Sequence, residues 1–298
     1  MRIHIRSLQW LAVLLAAFTT VAAQADEEKS ALSRVEEKGV IEVAVYENFP
    51  PYSYRQNGRA TGVDVDVARA LAKQLGVSAS LRLVGADETM EDDLRNNVWK
   101  GHYLGGGVAD IMLRVPYDEA FGRMNDHVRL IAPYHREQIV VALDPKHGKR
   151  ENALALFTHE KVGVELDTLA DFYLLSALNG RIRDNVVHFT NVAQAAEALK
   201  KGEVAGVMAP RSEIEAALGD RLGDFSVGPL QMTGMRESGW DVGVAVKAGH
   251  DDLGDAVERA MQTLRNDGEL QRIFKHYGVT YQLPSVLPVL SAHNGEVK

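Results

Sequence analysis

The stretch "VIEVAVYENFPPYSYRQNGRATGVDVDVARALAKQLG", Val40–Gly76, contains the pattern that decides the fold. It opens with a continuous apolar run up to Tyr46, rich in β-branched residues, which is typical of a buried strand. A loop with a double proline and an Asn-Gly turn follows. From Val63 the apolar residues recur at helical spacing until a glycine ends the pattern. This order of strand, loop and helix predicts the first unit of an α/β fold.

Strand and helix patterns alternate along the rest of the chain, which predicts two α/β units of similar size. We expect lobe 1 to comprise residues 28–136 and 243–284, and lobe 2 to comprise residues 137–242. The apolar segments Gln138–Leu143 and Asp241–Val246 are the expected crossovers between the lobes. Residues 285–298 show no periodicity and are expected to form a loose tail. A ligand in such a fold lies between the lobes, at the carboxyl ends of the strands.

The beginning of the chain has the pattern of a secretory signal peptide over residues 1–25. Arg2 and Arg6 precede a short apolar core, and cleavage is expected after Ala25. This predicts a periplasmic location. The chain has no cysteine, so it has neither disulfides nor a cysteine for lipid attachment. The net charge of −8 without a basic block argues against nucleic acid as a partner. We expect a monomer without a cofactor or metal.

Several segments resemble family 3 solute-binding proteins, the polar amino-acid binders of ABC transporters. They include "GVIEVAVYENFPPYSY", "LIAPYHREQIVV", "KVGVELDT" and "VGVAVKAGHDDLGDAVERAMQTLRNDGELQRIFKHYG", and the resemblance covers roughly Lys38 to Tyr281. It implies a two-lobed periplasmic binding protein of type II. Each lobe would be a β-sheet flanked by helices, and a two-strand hinge would join the lobes. The expected function is to close on a small polar ligand and deliver it to an inner-membrane ABC permease.

The resemblance places three aromatic residues at the mouth of the ligand cleft in lobe 1. These are Tyr46, Phe49 and Tyr52, which follow the first strand and are expected either to form the walls of the ligand site or to pack the loop. In the family, a segment with hydroxyl side chains and an arginine after the third strand holds the α-carboxylate of the ligand.

Here that segment reads "RVPYDEAFGR", and Pro116 and Tyr117 replace the hydroxyl residues. Arg123 lies one residue beyond the family's arginine, and Arg114 is an additional cation at the end of an apolar strand. We expect both arginines and Tyr117 to contact the ligand, with an internal salt bridge as the alternative for Arg114. On the ligand-contact interpretation, Arg114→Ala abolishes binding and leaves the melting temperature nearly unchanged.

Lobe 2 departs further from the family. Thr168 stands at the family's Gly-Thr turn, where it either contacts the ligand or only caps a helix. After the strand "VAGVMA", Arg211 stands near the family's aspartate, which holds the α-ammonium group. Together with Arg114 and Arg123, this substitution predicts an anionic or non-amino-acid ligand.

Two other functions remain open. One is a dehydratase-like enzyme on the same fold, with His102 and Glu165 as the acid–base candidates. The other is an accessory protein of a periplasmic quinoprotein dehydrogenase. The acidic run Asp87–Asp93 could bind calcium or a lanthanide, although a solvated helix start explains it better.

The glycines of "KGHYLGGGVADIM" come after a helix and before a strand. A phosphate loop needs the opposite order, so these glycines predict a turn rather than a ligand site. His102 and Tyr103 beside them have no counterpart in the family pattern.

Overall fold

The computed structural model describes residues 29–235 and 238–287, so the predicted signal peptide and the tail beyond Leu287 lie outside the described residues. The strands are β1 (Val40–Tyr46), β2 (Tyr54–Gln56), β3 (Arg59–Thr61), β4 (Ser78–Val84), β5 (Ile111–Pro116), β6 (Val128–Leu143), β7 (Val162–Glu165), β8 (Val186–Phe189), β9 (Gly206–Pro210), β10 (Ser226–Pro229) and β11 (Gly239–Lys247). The helices are α1 (Ala31–Lys38), α2 (Val63–Gln74), α3 (Met90–Leu94), α4 (Glu119–Met124), α5 (Ala153–Leu156), α6 (Leu169–Gly180), α7 (Val192–Lys201), α8 (Arg211–Leu218), α9 (Asp251–Asn266) and α10 (Glu269–His276).

Two of these helices are irregular. A π-helical segment, Arg95–Trp99, continues α3 directly, so this stretch consists of two short helical parts. Helix α6 is kinked where Leu178 and Asn179 adopt positive φ.

Lobe 1 is a mixed sheet with the strand order β4-β1-β5-β11-β6. Strand β1 pairs in parallel with β4 and β5, and β11 runs antiparallel between β5 and β6. Helices α1, α2, α9 and α10 cover one face, where Ile41, Leu71 and Phe274 are fully buried. Helices α3 and α4 lie over the other face. The continuous apolar pattern of β1 is explained by this burial on both faces.

Lobe 2 contains strands in the order β10-β6-β9-β7-β8. Helices α5 and α6 cover one face around Phe157 and Leu174, and helices α7 and α8 cover the other around Leu199 and Ile214. The predicted α/β fold, with each sheet flanked by helices, is confirmed.

Strand β6 connects the two sheets. Its first part pairs with β11 as far as Gln138. From Ile139 onward it pairs with β9, and from Val140 to Leu143 it also pairs with β10 on its other side. Among the described residues a single nine-stranded sheet therefore runs through both lobes. The second connection passes through Ser238, whose carbonyl accepts a hydrogen bond from the Ile139 amide at 2.7 Å. The two connections therefore lie at Gln138–Ile139 and at Ser238, and the predicted residue bounds of the lobes stay a prediction.

The segment after α10 runs alongside these crossovers. The Arg136 amide donates to the carbonyl of Gln282, and the Thr280 amide donates to the Glu215 carboxylate of lobe 2 at 2.6 Å. Asp241 accepts hydrogen bonds from the amide and the hydroxyl of Ser285 at 2.8 and 2.6 Å. The first residues of the predicted loose tail are therefore held in place, because a buried carboxylate needs these donors.

Gly62 shows how closely the loop after β1 approaches α2. It caps the helix with a φ of 124°, and a Cβ on it would lie 2.5 Å from the carbonyl carbon of Tyr52. We expect Gly62→Ala to lower the free energy of unfolding by about 3 kcal/mol or more, since both the backbone angle and the contact forbid a side chain. Gly58→Ala is the control in urea denaturation. Gly58 also has a positive φ, but a Cβ on it would have no neighbouring atom within 4 Å, so we expect the free energy of unfolding to fall by only about 1 kcal/mol. Equal costs for both substitutions would show that the close approach is unimportant.

Candidate functional site between the lobes

A cavity of about 700 Å³ lies between the lobes, at the carboxyl ends of β1, β7 and β8. We call it the interlobe cavity. Its lining from lobe 1 is Asn48, Phe49, Pro50, Pro51, Tyr54, Gln56, Thr61, His276 and Tyr277. Its lining from lobe 2 is Glu165, Asn191, Val192, Ala193, Glu213, Ala216 and Ala217. Ligand sites of α/β proteins lie at this edge of the sheet, so the cavity is the candidate site.

Two carboxylates from lobe 2 line this cavity. Glu165 ends β7 and accepts a hydrogen bond from the Val192 amide at the start of α7. Burial raises the pKa of Glu165 despite that hydrogen bond. Glu213 lies in the first turn of α8, and its pKa is raised to about 8 by burial and by repulsion from Glu165 and Glu137, although Arg114 acts in the opposite direction. The cavity therefore holds two carboxyl groups whose joint ionisation is unfavourable, and the described residues that line it include no lysine or arginine.

Arg114 makes the internal salt bridge that was the alternative to ligand contact. Its Nε and Nη2 donate to the two carboxylate oxygens of Asp64, at 2.5 and 3.1 Å. Both side chains are buried, and the guanidinium carbon lies 3.2 Å from the centre of the Tyr52 ring. The hydroxyl of Tyr134 donates to the same carboxylate at 2.8 Å. Burial opposes the charge, but Asp64 more than compensates and holds the pKa of Arg114 above its usual range.

A second buried polar group, which we call the hinge cluster, joins the lobes beneath the cavity. It consists of Tyr52, His135, Glu137 and Ser212. Tyr52 donates its hydroxyl hydrogen to the carboxylate of Glu137, which also accepts from the Ser212 amide at 3.4 Å. The ring of His135 lies 3.2 Å from the Ser212 hydroxyl and 3.7 Å from the Glu137 carboxylate. Burial alone would raise the pKa of Glu137, but contacts with His135 and Tyr52 lower it to about 2.

The aromatic residues predicted as walls have different surroundings. Phe49 lines the cavity. Tyr46 is buried, with its ring centre 6.2 Å from that of Phe49, and the Tyr46 hydroxyl donates to Asp93 at 2.6 Å. Burial and this hydrogen bond raise the pKa of Tyr46 well above its usual value. Tyr52 is fully buried in the hinge cluster. Direct ligand contact by Tyr46 or Tyr52 stays a prediction.

Two of the predicted contacts lie in a different cavity. Tyr117 and Arg123 line a space of about 810 Å³ next to α4, together with Arg136 and Trp240. Arg123 is exposed and pairs with Glu119 on the same helix. The structure therefore brings Tyr117 and Arg123 together, but does so outside the interlobe cavity.

The two predicted contacts in lobe 2 have structural roles. Thr168 caps α6 by accepting from the Asp171 amide at 3.3 Å, and its hydroxyl donates to the carbonyl of Glu165 at 2.8 Å. Arg211 begins α8 and pairs with Glu215 at 3.4 Å. The three arginines on which the anionic ligand was predicted thus pair with three different carboxylates and do not converge.

The acidic run and the glycine loop lie outside the candidate site. Within the described ranges, no group of three or more metal-ligating side chains could hold a metal ion. Thr89 caps α3 within the acidic run, and the Asp87 amide donates to Asp93 at 2.8 Å. His102 lies in the loop between the π-helical segment and β5. It is not among the residues that line the interlobe cavity, and its role as an acid–base group stays a prediction.

The sequence analysis missed Glu213 and Asn191, which line the cavity, and the partners Asp64 and Glu137. Glu213 stands two residues after Arg211, but only the arginine of this segment was predicted to contact the ligand. The usable signal was the helix start at Arg211. A residue two positions later in the first turn projects about 200° away from it, toward a different side.

Comparisons with known proteins agree with this architecture. Residues 41–99 match the model of the bacterial extracellular solute-binding proteins, family 3. The chain is 28% identical over 276 residues to the L-cystine-binding protein TcyJ of Escherichia coli strain K12, covering 88% of this chain and 91% of that one. Over 73 residues, 24% of this chain and 27% of the other, it is 38% identical to the cyclohexadienyl dehydratase of Pseudomonas aeruginosa.

The fold is similar to that of an ancestral cationic amino acid solute-binding protein, AncCDT-1. The TM-score is 0.67 at 18% identity, over 84% of this chain and 100% of that chain. No helix in the two described ranges is long and apolar enough to cross a membrane. The chain is thus similar to the bacterial extracellular solute-binding proteins of family 3 over residues 41–99 and to one L-cystine-binding protein over most of its length, and it shares the fold of an amino-acid solute-binding protein.

Proposed function

We propose that the protein binds a small molecule with a protonated amine in the interlobe cavity and delivers it to an ABC permease. The observation that carries this proposal is the pair Glu165 and Glu213, which line one cavity from the same lobe. A carboxylate pair that repels itself is stabilised by a cation placed between its members. An ammonium group supplies that charge together with several hydrogen-bond donors.

The expectation of an anionic ligand is not retained in this proposal. Its arginines are already neutralised by Asp64, Glu119 and Glu215. An anion in the interlobe cavity would meet two carboxyl groups and, among the described lining residues, no lysine or arginine, which is unfavourable. Similarity to an L-cystine-binding protein points the same way, because cystine carries amino groups.

The pH dependence of binding tests the proposal. Since burial holds the pKa of Glu213 at about 8, this carboxyl must lose its proton before it can pair with an ammonium group. We expect the affinity for L-lysine and n-butylamine, measured by calorimetry, to weaken by up to about tenfold per pH unit as the pH falls from 8 to 6. Succinate is the matched anionic probe. Binding of succinate but of neither amine would refute the proposal.

Export to the periplasm and a permease partner belong to the same proposal. They are supported by the leader pattern of residues 1–25 and by the family relationship. None of the relatives described above points to a quinoprotein dehydrogenase, so that partner is not proposed.

A second candidate function is catalysis, and one observation favours it. With its pKa near 8, Glu213 holds a proton at neutral pH inside a cavity, as a general acid does. The short match to a cyclohexadienyl dehydratase is consistent with this role. Turnover of a cyclic dienyl acid by the purified protein, lost in Glu213→Gln, would establish it.

A further inference from the structure

The chain leaves α10 through a turn that is anchored in lobe 1. Gly278 follows the helix with a φ of 71°, in the left-handed conformation. Its amide donates to the carbonyl of Lys275 at 3.0 Å, and the Val279 amide donates to the carbonyl of Phe274 at 3.1 Å. These two bonds form a Schellman motif, in which Val279 and Phe274 both belong to the buried core of lobe 1. Lobe 1 therefore fixes the position from which the next residues start.

The next residue contacts lobe 2. The Thr280 amide donates to Oε2 of Glu215 at 2.6 Å, which is a short hydrogen bond to a carboxylate. Glu215 lies on α8 and is buried, and its other oxygen faces Arg211 at 3.4 Å. Helix α8 also carries Glu213, which lines the interlobe cavity. One hydrogen bond thus joins the backbone that leaves lobe 1 to a helix that forms the cavity in lobe 2.

The same segment is then held on both crossovers between the lobes. On β6, Nδ1 of His135 accepts a hydrogen bond from the Gln282 amide at 3.4 Å. On β11, Asp241 accepts hydrogen bonds from the amides of Ser285 and Val286 at 2.8 and 3.2 Å. The segment is therefore attached to lobe 1, to lobe 2 and to the two strands about which the lobes would turn.

We propose that residues 279–286, which we call the strap, form a third connection between the lobes and favour the closed arrangement of the ligand-free protein. Closed means that both lobes line the interlobe cavity. When the lobes turn apart about the two crossovers, α8 moves relative to α10. Thr280 cannot follow α8, because it directly succeeds Val279, which is buried in lobe 1. The hydrogen bond to Glu215 must then lengthen, and a displacement of about 1 Å is enough to break it.

The distance between two spin labels, measured by double electron–electron resonance without ligand, tests the strap. Since the chain has no cysteine, Lys73→Cys on α2 and Glu197→Cys on α7 provide one exposed label position on each lobe. In this labelled protein, Thr280→Pro removes the amide hydrogen that Glu215 accepts. We expect the distances to become longer and the ratio of closed to open molecules to fall by about tenfold, as expected for the loss of a hydrogen bond to a charged group.

Two further variants separate this hydrogen bond from other effects of proline. Thr280→Ala keeps the amide hydrogen and is the matched control, so its distances should equal those of the labelled protein with threonine. Glu215→Ala removes the acceptor. In that background, Thr280→Pro should cause no further change, because both substitutions remove the same interaction. Thr280 is exposed and lies outside the helices and strands, so its variants should fold.

Two results would overturn the proposal. If Thr280→Pro leaves the distances unchanged, the strap does not influence the opening of the lobes, and a lower stability in urea denaturation would then show that it only stabilises the fold. If Thr280→Pro lengthens the distances equally with and without the Glu215 carboxylate, a contact other than this hydrogen bond holds the lobes together. Neither result depends on the identity of the ligand, so the proposed function is tested separately.

Discussion

Glu213→Gln is expected to abolish amine binding and, at the same time, to make the ligand-free protein more stable. The folded protein holds the proton of Glu213 more tightly than the unfolded chain does, since the pKa rises from 4.5 to about 8 on folding. The stability linked to this group is therefore complete below pH 4.5 and declines as the pH rises to 8. In Glu213→Gln this pH-dependent loss of stability is absent, because glutamine does not ionise.

Urea denaturation at several pH values measures the stability effect. We expect the variant to exceed the wild type by roughly 1–3 kcal/mol at pH 8 and to match it near pH 4.5. Calorimetry with n-butylamine should show no binding to the variant. A variant that binds the amine normally, or that is less stable than the wild type at pH 8, would contradict the role assigned to Glu213.

Arg114→Ala is expected to lower the free energy of unfolding by about 3–5 kcal/mol, because it leaves Asp64 as a buried charge without a partner. This replaces the expectation from the sequence that the melting temperature stays nearly unchanged. The substitution also removes the cation that lies over the Tyr52 ring, next to the hinge cluster.

Arg123→Ala is the control for this prediction. Arg123 also pairs with a carboxylate, but both partners are exposed, so its loss should cost no more than about 1 kcal/mol. Equal effects of the two substitutions in urea denaturation would mean that the buried pair contributes no more to the free energy of unfolding than the exposed pair does.

The fold could be predicted from the sequence because its signals are local. The continuous apolar run of β1 and the helical spacing of α2 each lie within one short segment, and burial on two faces leaves a clear pattern. The site could be predicted only in part, because its contacts are not local. Arg114 and Asp64 are 50 residues apart, and no sequence pattern in either segment indicates that they form an ion pair.

The charge of the cleft depends on which charged side chains point into it, and not only on which charged residues are present. Arg211 and Glu213 lie in the same helical turn, yet only the carboxylate lines the cavity, and the arginine turns to Glu215. A sequence shows both charges but not which of them faces the ligand.

The continuous sheet has a consequence for the order in which the chain can fold during synthesis. Lobe 2 is one uninterrupted stretch, whereas lobe 1 needs β11, α9 and α10 from the far end of the chain. Until β11 emerges, β5 and β6 have no strand between them and present open edges that invite wrong pairing. The lobe that is begun first is therefore completed last, and a nascent chain that stops before Gly239 carries an unfinished sheet with exposed strand edges.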